Sequence, residues 1–266
     1  MFTERIKKSP SQGDRIWEID FTRGLCVMLM LLDHTLFDLG FVFSDIWFPD
    51  GEGGFVLDLC LFARYSYWWH PLRAAAHMLV MAGFIGTCGI SCSFSRSNLR
   101  RGLKLAAIAA AISLVTWLMD CIIGDSQFFI RFGILHMLAV SIIVYWLLQR
   151  FGVWASLIPG LLIAAAGFFI DPYAIQMSGY IPFALGLSVN NPSADYFPLI
   201  PWLGWVLICA ALGGRLYRHR RSLFPGHGRS PLLHPLIWLG RHALLVYILH
   251  QPLIYGLLYL SGKIFA

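Results

Sequence analysis

The sequence predicts an all-α transmembrane helix bundle of about seven spans with its N-terminus inside. Of the 266 residues, 58% are hydrophobic and only 13% are charged, which is more apolar surface than one soluble core can bury. Several apolar stretches approach the roughly 20 residues that a helix needs to cross a bilayer. Because lipid offers no hydrogen-bond partners to the backbone, these stretches are expected to be helical. We therefore treat residues 1–266 as a single transmembrane domain.

Seven apolar segments are separated by stretches that are richer in charge, glycine or proline. They lie at about residues 18–41, 72–94, 103–123, 131–149, 153–170, 199–216 and 236–260. No signal-peptide cleavage pattern follows the first segment, and the first helix is therefore predicted to be retained. Between the first two segments, the stretch FVLDLCLFARYSYWW is typical of a helix that lies in the headgroup region.

The basic residues predict which segments face the cytoplasm. With the N-terminus inside, the inner segments hold Arg5, Lys7, Lys8, Arg15, Arg96, Arg100, Arg101, Lys104, Arg150, Arg215, Arg218, Arg220, Arg221 and Arg229. The outer segments hold only four basic residues, Arg64, Arg73, Arg131 and Lys263, but seven of the fourteen acidic residues. This asymmetry explains the net charge of +6 without a nucleic-acid partner. It predicts a multi-pass protein of the cell (inner) membrane, with the lipid bilayer as a partner.

The six cysteines have none of the spacings that hold a metal ion, and no metal site is predicted. Most of them lie inside apolar segments, where a thiol behaves as a small hydrophobic group. The sequence leaves open whether the protein forms a homo-oligomer.

The first predicted span carries ionisable side chains in a pattern that indicates a site. An α-helix turns about 100° per residue, so the eleven steps from Arg23 to His34 make three turns plus roughly 20°. Asp20 and Asp38 fall on the same stripe, whereas Asp33 lies about 100° away. A charge near the bilayer centre costs on the order of 2.5–3.5 kcal/mol, and the stripe is therefore expected to face the bundle or a polar cavity. The simpler alternative is a structural Asp20–Arg23 pair and a hydrogen-bonded histidine.

Histidines of other spans fall at a similar depth, between the midplane and the outer surface. They are His77, His136 and His250, and the last of these is close in sequence to Tyr247 and Gln251. Each histidine alone is more often a core residue. Together with His34 they predict a shared site, because histidine suits proton transfer near neutral pH. Arg241 is nine residues before His250, about 900° of helix, and is therefore expected on the opposite face and nearer the inner surface, where it can bind an anionic headgroup or a cytoplasmic anion.

Four segments of the sequence resemble a known family. In chain order they are EIDFTRGLCVMLMLLDHTLFDL, IRFGILHMLAVSIIVYWLL, DYFPLIPWLGWVLICAALGGRLY and WLGRHALLVYILHQPLIYG. Together they resemble the bacterial branch of the heparan-alpha-glucosaminide N-acetyltransferase catalytic-domain family, within the transmembrane acyltransferases. The ten residues between Arg23 and His34 also match the first-helix motif of the wider transmembrane acyltransferases that decorate surface sugars.

The resemblance implies a membrane-bound, acetyl-CoA-dependent acyltransferase. It would take an acetyl group from cytoplasmic acetyl-CoA and deliver it to a small-molecule or glycan acceptor on the other face. Arg23 matches the motif arginine that is expected to hold the acyl-CoA, and Asp20 and Arg241 are assigned to the same end. His34 matches the catalytic histidine, and Asp38, one turn away, is expected to orient its imidazole or stabilise its charged form. The acceptor is expected to contact His136, Tyr247, His250 and Gln251.

The catalytic histidine has two candidates. In the lysosomal branch of the family an asparagine stands where His34 stands, and the active histidine lies downstream in the outer loop. The corresponding place in this sequence is near Asp45, and the nearest loop histidine is His70. We favour His34, which can act as a general base towards an acceptor hydroxyl or amine, or can carry the acetyl group itself.

Two other classes of protein would carry the same polar stripe. A proton-coupled transporter or flippase would line a pathway with aspartate and histidine, although no internal repeat is visible in the sequence. A structural or assembly protein would use the polar groups to hold its helices together. Binding of acetyl-CoA to the purified protein separates the acyltransferase from both alternatives.

Single cysteines placed near residues 98 and 190, in a background without native cysteines, are expected to react from opposite sides of the membrane. The reason is that three predicted spans separate the two positions. Labelling with a membrane-impermeant maleimide, in intact cells and in inverted vesicles, measures this. Reaction of both positions from the same side would contradict the seven-span topology.

Overall fold

The computed structural model describes residues 16–124, 128–171, 177–188, 193–218, 221–225, 228 and 230–265. Within these ranges the regular structure is helical, and the only β pairing is an isolated bridge between Phe132 and Tyr196. The polar stretch of residues 1–15, which the sequence analysis assigned to a retained N-terminus, lies outside the described residues.

Ten α-helices can be named in the described part of the chain. They are α1 (Trp17–Trp47), α2 (Phe55–Leu61), α3 (Pro71–Phe94), α4 (Asn98–Ile123), α5 (Ile134–Leu148), α6 (Val153–Phe169), α7 (Tyr180–Leu185), α8 (Leu199–Leu216), α9 (His234–Arg241) and α10 (Ala243–Phe265). Helix α1 is π-helical over Asp38–Phe43, and α2 continues as a π-helix over Phe62–Tyr67. The predicted headgroup-region helix is therefore a helix in the structure.

The all-α bundle is confirmed, and the number of spans is close to the prediction. Among the described residues, six helices are long and apolar enough to cross a membrane: α1, α3, α4, α5 with its extension to Phe151, α8 and α10. The predicted fifth span is α6, which has 17 residues and is shorter than the other six. At 1.5 Å per residue it is about 25 Å long, at the lower limit for a span. The cysteine-labelling experiment therefore also tests whether α6 crosses the membrane.

Two predicted spans have different bounds in the structure. The last one, 236–260, is not continuous, because it divides at His242 into α9 and α10. The amide of His242 still donates to the carbonyl groups of Trp238 and Leu239, but its backbone leaves the helical conformation at φ −106° and ψ 14°. The prediction that Arg241 and His250 lie on opposite faces of one helix was therefore wrong, because the two residues belong to different helices. Helix α1 is also longer than predicted and reaches Trp47 through its π-helical turn.

The single predicted domain contains two compact units. One comprises the described residues of Met1–Phe84 and Arg220–Ala266, and the other comprises those of Ile85–His219. The first unit contains α1, α2, the beginning of α3, α9 and α10. It therefore holds both the polar stripe of the first span and the histidine of the last. His136 belongs to the second unit.

Glycines bring α1 and α9 into backbone contact in the first unit. A Cβ atom on Gly24 would overlap the carbonyl oxygen of Leu236, and a Cβ atom on Gly240 would overlap the carbonyl oxygen of Asp20. Small residues at a helix crossing allow this approach, as is common between membrane helices. The crossing brings the N-terminal end of the polar stripe next to α9.

The C-terminal part of α1 packs against α10. The rings of Phe43 and Tyr255 are 5.1 Å apart, and a Cβ atom on Gly262 would overlap the indole of Trp47. Leu39, Phe43, Trp47 and Cys60 form a buried cluster here. Helix α1 is thus held at its two ends by two different helices, α9 and α10.

Close helix contacts also organise the second unit. Helix α8 crosses α6 where Gly204 lies against Gly160 and Ala164, with a Cβ atom on Gly204 only 2.5 Å from the Ala164 amide nitrogen. The buried core of this unit includes Cys92, Ile142, Tyr145, Leu207 and Ala210.

Replacing Gly24 with alanine is expected to destabilise the first unit by about 1–3 kcal/mol, because the added methyl group meets backbone atoms that cannot move aside. The measurement is the temperature at which half of the detergent-purified protein loses its monodisperse peak in size-exclusion chromatography. Gly256→Ala is the matched control: Gly256 also lies in a helix, but nothing lies within 4 Å of an added Cβ atom there. Equal stability of the two variants would contradict the close crossing.

Candidate active site

One carboxylate holds two arginines at the N-terminal end of α1. Oδ1 of Asp20 lies 3.6 Å from Nη1 of Arg23, and Oδ2 accepts a hydrogen bond of 3.3 Å from Nε of Arg241. The predicted one-turn pair of Asp20 and Arg23 is therefore present, and Arg241 joins it across the α1–α9 crossing. Two guanidinium groups share one carboxylate, which leaves a net positive charge. A net positive charge on guanidinium groups is well suited to binding phosphate.

The backbone fixes the tautomer of His34. Its Nδ1 donates a hydrogen bond of 2.9 Å to the carbonyl oxygen of Met30, one turn earlier in α1. Because a carbonyl oxygen only accepts, Nδ1 must carry the proton. The neutral imidazole then has its lone pair on Nε2, which is the atom that can take a proton from another group. The ring is half-buried.

His250 lies edge-on to His34 and is held in the same way. The two ring centroids are 4.9 Å apart with an interplanar angle of 87°. Nδ1 of His250 donates to the carbonyl oxygen of Tyr247 at 2.6 Å, so its lone pair is also on Nε2. This Nε2 is buried, and no donor within the described residues reaches it. The Tyr247 ring lies 5.6 Å from the His250 ring. The structure thus brings His34, Tyr247 and His250 together.

Asp38 is bound to Gln251 and not to His34. The amide nitrogen of Gln251 lies 3.0 Å from both carboxylate oxygens of Asp38, which is only 1% exposed. The expectation that Asp38 orients the imidazole does not match this geometry, because the Met30 carbonyl does so. Oε1 of Gln251 is buried and has no donor among the described residues. Gln251 follows His250 on α10, so its Oε1 is a further hydrogen-bond acceptor where α10 contacts α1.

Asp33 has partners on a different side of α1. Its carboxylate accepts hydrogen bonds from Arg73 at 2.8 and 2.5 Å and from the Tyr67 hydroxyl at 3.0 Å. Nδ1 of His77 lies 3.7 Å away, and the Arg73 guanidinium lies 3.8 Å from the centroid of the Trp68 ring. Burial raises the pKa of Tyr67, and the Asp33 carboxylate raises it further, which keeps the phenol protonated as a donor. The off-stripe placement of Asp33 agrees with these contacts.

The partners of Asp33 were not predicted from the sequence. Arg73 was interpreted only as a charge of the outer side, and no role was predicted for Tyr67. The signal was the presence of Asp33 within an apolar span, since an intramembrane carboxylate needs a cationic or donor partner. Arg73 is near the start of the second span and was the basic residue best placed to serve.

His136 and His70 have other surroundings. In the second unit, Nδ1 of His136 accepts from the Gly133 amide at 3.2 Å, and Nε2 therefore carries the proton that goes to Ser113 Oγ, 3.2 Å away. Both nitrogens are engaged at the N-terminus of α5, as in a structural cap; a contact of His136 with substrate stays a prediction. His70 is exposed, and its Nδ1 accepts from the Leu72 amide at 3.2 Å.

The chemistry of the first unit differs between the two ends of the stripe. The Asp20 end is cationic and suits an anion. The other end offers lone pairs on His34, His250 and Gln251, which suit groups that donate hydrogen bonds. Eleven residues of helix, about 16 Å, separate Arg23 from His34. Within the described residues, no group of three or more His, Cys, Asp or Glu side chains is arranged to hold a metal ion.

Comparison with known proteins agrees with the resemblance noted in the sequence. Residues 15–45 and 53–252 match the model of a family described as heparan-alpha-glucosaminide N-acetyltransferase, catalytic. Neither the curated proteins nor the solved structures give a match. The matched ranges cover most of the chain and include Arg23, His34 and His250. The chain therefore belongs to the heparan-alpha-glucosaminide N-acetyltransferase catalytic-domain family, a family of membrane acetyltransferases.

Proposed function

We propose that the protein is a multi-pass acetyltransferase of the cell membrane that moves an acetyl group from cytoplasmic acetyl-CoA to a sugar- or glycan-type acceptor on the outer side. The observation that carries this proposal is the pair of edge-on imidazoles, His34 and His250. Each has its Nδ1 tied to a backbone carbonyl and its Nε2 lone pair available. His34 lies on α1, which also carries the motif arginine, and His250 lies on α10.

The donor end is assigned to Asp20, Arg23 and Arg241. Their net positive charge and the forked shape of the guanidinium group fit the phosphates of coenzyme A. Asp20 keeps the two arginines next to each other, because it contacts both. Acetyl-CoA, when bound, supplies an activated acetyl thioester. The separation of about 16 Å between Arg23 and His34 is comparable to the reach of an extended pantetheine arm.

His34 is assigned the proton transfer. Its Nε2 takes the proton from the acceptor hydroxyl or amine as that group attacks the acetyl carbonyl. The carbon–sulfur bond of the thioester then breaks, and coenzyme A leaves as a thiol that receives the proton from His34. The buried carboxylate of Asp38, one turn further along α1, favours the positive charge that His34 then carries. In this scheme Asp38 acts through its charge, while the Met30 carbonyl sets the orientation of the ring.

His250 and Gln251 are assigned to the acceptor. The Nε2 atom of His250 and the Oε1 atom of Gln251 are both buried acceptors that nothing in the described residues satisfies. A buried polar atom left in this state is costly, and a bound group with several N–H or O–H donors would satisfy both. Sugars and amino sugars carry such donors, whereas a carboxylate or a phosphate diester does not.

An open groove supports the arrival of the acceptor from the C-terminal end of α1, which is predicted to be outside. It has a volume of about 610 Å³, and its lining includes Trp47, Phe48, Glu52 and Phe55. Residues 46–52, which form part of this lining, are the internal stretch that the family match omits. We propose that this stretch adapts the entrance to the acceptor of this particular protein.

Arg23→Ala is expected to weaken the binding of acetyl-CoA by about tenfold or more, since a hydrogen bond to a charged group contributes about 1.5–3 kcal/mol. Isothermal titration of the detergent-purified protein measures the Kd. The control is Arg64→Ala, which removes an arginine that pairs with Asp45 at 2.7 Å elsewhere in the first unit. An unchanged Kd in folded Arg23→Ala protein would refute the assignment to the donor. Wild-type protein that does not bind acetyl-CoA would favour a transporter or a structural protein.

His34→Ala is expected to lower the rate of acetyl transfer by about 100- to 10,000-fold, which is the usual contribution of a positioned general base. Binding of acetyl-CoA should survive, because the donor end is untouched. The assay follows labelled acetyl groups from acetyl-CoA into a glycan or lipid extract, with mass analysis of the product. His70→Ala is the comparison variant, and its effect should be small. An inactive His70→Ala protein beside a fully active His34→Ala protein would move the site to the outer loop.

A further inference from the structure

We infer that Asp33, held by Arg73 and Tyr67, is a positioning residue that fixes the rotation of α1 so that His34 faces His250. The inference rests on the proposed function, because the step that it supports is the proton transfer at His34. It assigns a role in that step to three side chains, none of which reaches the His34–His250 pair.

The contacts of Asp33 have the directionality that positioning requires. Arg73 binds both carboxylate oxygens, one through Nε and the other through Nη2, and Tyr67 donates to Oδ1. A two-point guanidinium–carboxylate contact fixes an angle as well as a distance. The side chains of Asp33 and Arg73 are each 15% exposed, so solvent screens the pair little.

The Arg73 side chain is itself held in place. Its guanidinium lies over the Trp68 ring at 3.8 Å from the centroid, which is within the range of a cation–π contact. Tyr67 is the last residue of the π-helical continuation of α2, Trp68 follows it, and Arg73 is in the first turn of α3. The end of α2 and the start of α3 therefore both hold the Asp33 side chain of α1.

Asp33 and His34 are consecutive, so the contacts that hold Asp33 also restrict the direction in which the His34 side chain points. Successive side chains of a helix point about 100° apart, so α1 is held on one side through Asp33 and on another through its contacts with α10. Rolling of α1 about its axis would break the contacts of Asp33 and would also carry His34 away from His250. Without the contacts of Asp33, resistance to such rolling on the C-terminal side would depend on Asp38 and on apolar and aromatic packing, such as that of Phe37 and Leu39.

The chain offers a matched control pair. Asp45 and Arg64 form another aspartate–arginine contact between α1 and the segment of α2, at 2.7 Å. Their side chains are 65% and 31% exposed, and a pair of this kind contributes little to stability. Asp45 lies beyond the π-helical turn and eleven residues from His34. It therefore cannot set the His34 ring in the way that a consecutive residue can.

The kinetic test compares Asp33→Asn and Arg73→Lys with Asp45→Asn and Arg64→Lys. Both Asp33→Asn and Arg73→Lys should lower kcat by about 100-fold, the effect of a displacement of about 1 Å at a reacting group, with the KM for acetyl-CoA unchanged. Arg73→Lys retains the charge and loses the two-point contact, so it separates geometry from electrostatics. The two control variants should keep the wild-type kcat. A wild-type kcat in Asp33→Asn or Arg73→Lys overturns the inference.

A second measurement does not depend on activity. In protein without its native cysteines, His34→Cys and His250→Cys are combined and joined by a short bifunctional methanethiosulfonate reagent. Adding Arg73→Lys should reduce the cross-linked fraction, and adding Arg64→Lys should leave it unchanged. An unchanged fraction with Arg73→Lys overturns the inference even if wild-type protein shows no transfer. If wild-type protein shows no acetyl transfer but the cross-linking results are as expected, only the proposed function is contradicted.

Discussion

The carboxylates within the membrane-spanning part of α1 have to find partners inside the protein, because the hydrocarbon core of a membrane supplies none. The first unit meets this constraint at three positions along one helix. Asp20 takes two arginines, Asp33 takes an arginine and a tyrosine, and Asp38 takes the amide of Gln251. Three carboxylates thereby fix the surroundings of α1. The histidine that lies between them is left with one nitrogen tied to the backbone and one available for chemistry.

The glycine crossing of α1 and α9 makes the cationic end of this arrangement possible. Asp20 and Arg241 are far apart in sequence, and they come into contact because Gly24 and Gly240 allow the backbones of α1 and α9 to approach closely. The break at His242 then redirects the chain, so that α10 follows the other half of α1. Helix α1 consequently contacts two helices with different chemistry: α9 is basic at this contact, and α10 offers uncharged acceptors. A continuous last helix would not have provided both.

Much of this arrangement follows from the sequence, because a helix has a fixed period. The stripe of Asp20, Arg23, His34 and Asp38 is a consequence of that period, and the pairing of Asp20 with Arg23 follows from a spacing of one turn. The break at His242 has a weaker signal, since Gly240, Arg241 and His242 interrupt the apolar pattern but no proline is present there. The orientation of His34 was also beyond the sequence, because a backbone carbonyl sets it and every residue has one. The partners of Asp33 depend on which helices adjoin α1, which is tertiary information.

The π-helical turn at Asp38–Phe43 allows the part of α1 beyond it to change orientation independently of the part before it. Such a turn holds one residue more than an α-turn, and everything beyond it is rotated by about 100° relative to an uninterrupted helix. Loss or gain of a single residue there would re-aim Asp45 and the groove past Trp47 while leaving Met30, His34 and their hydrogen bond as they are. Related chains can therefore diversify the entrance by small insertions and deletions without disturbing the histidine. The family match continues across this turn and is interrupted only beyond it, at residues 46–52, which lie in the lining of the groove.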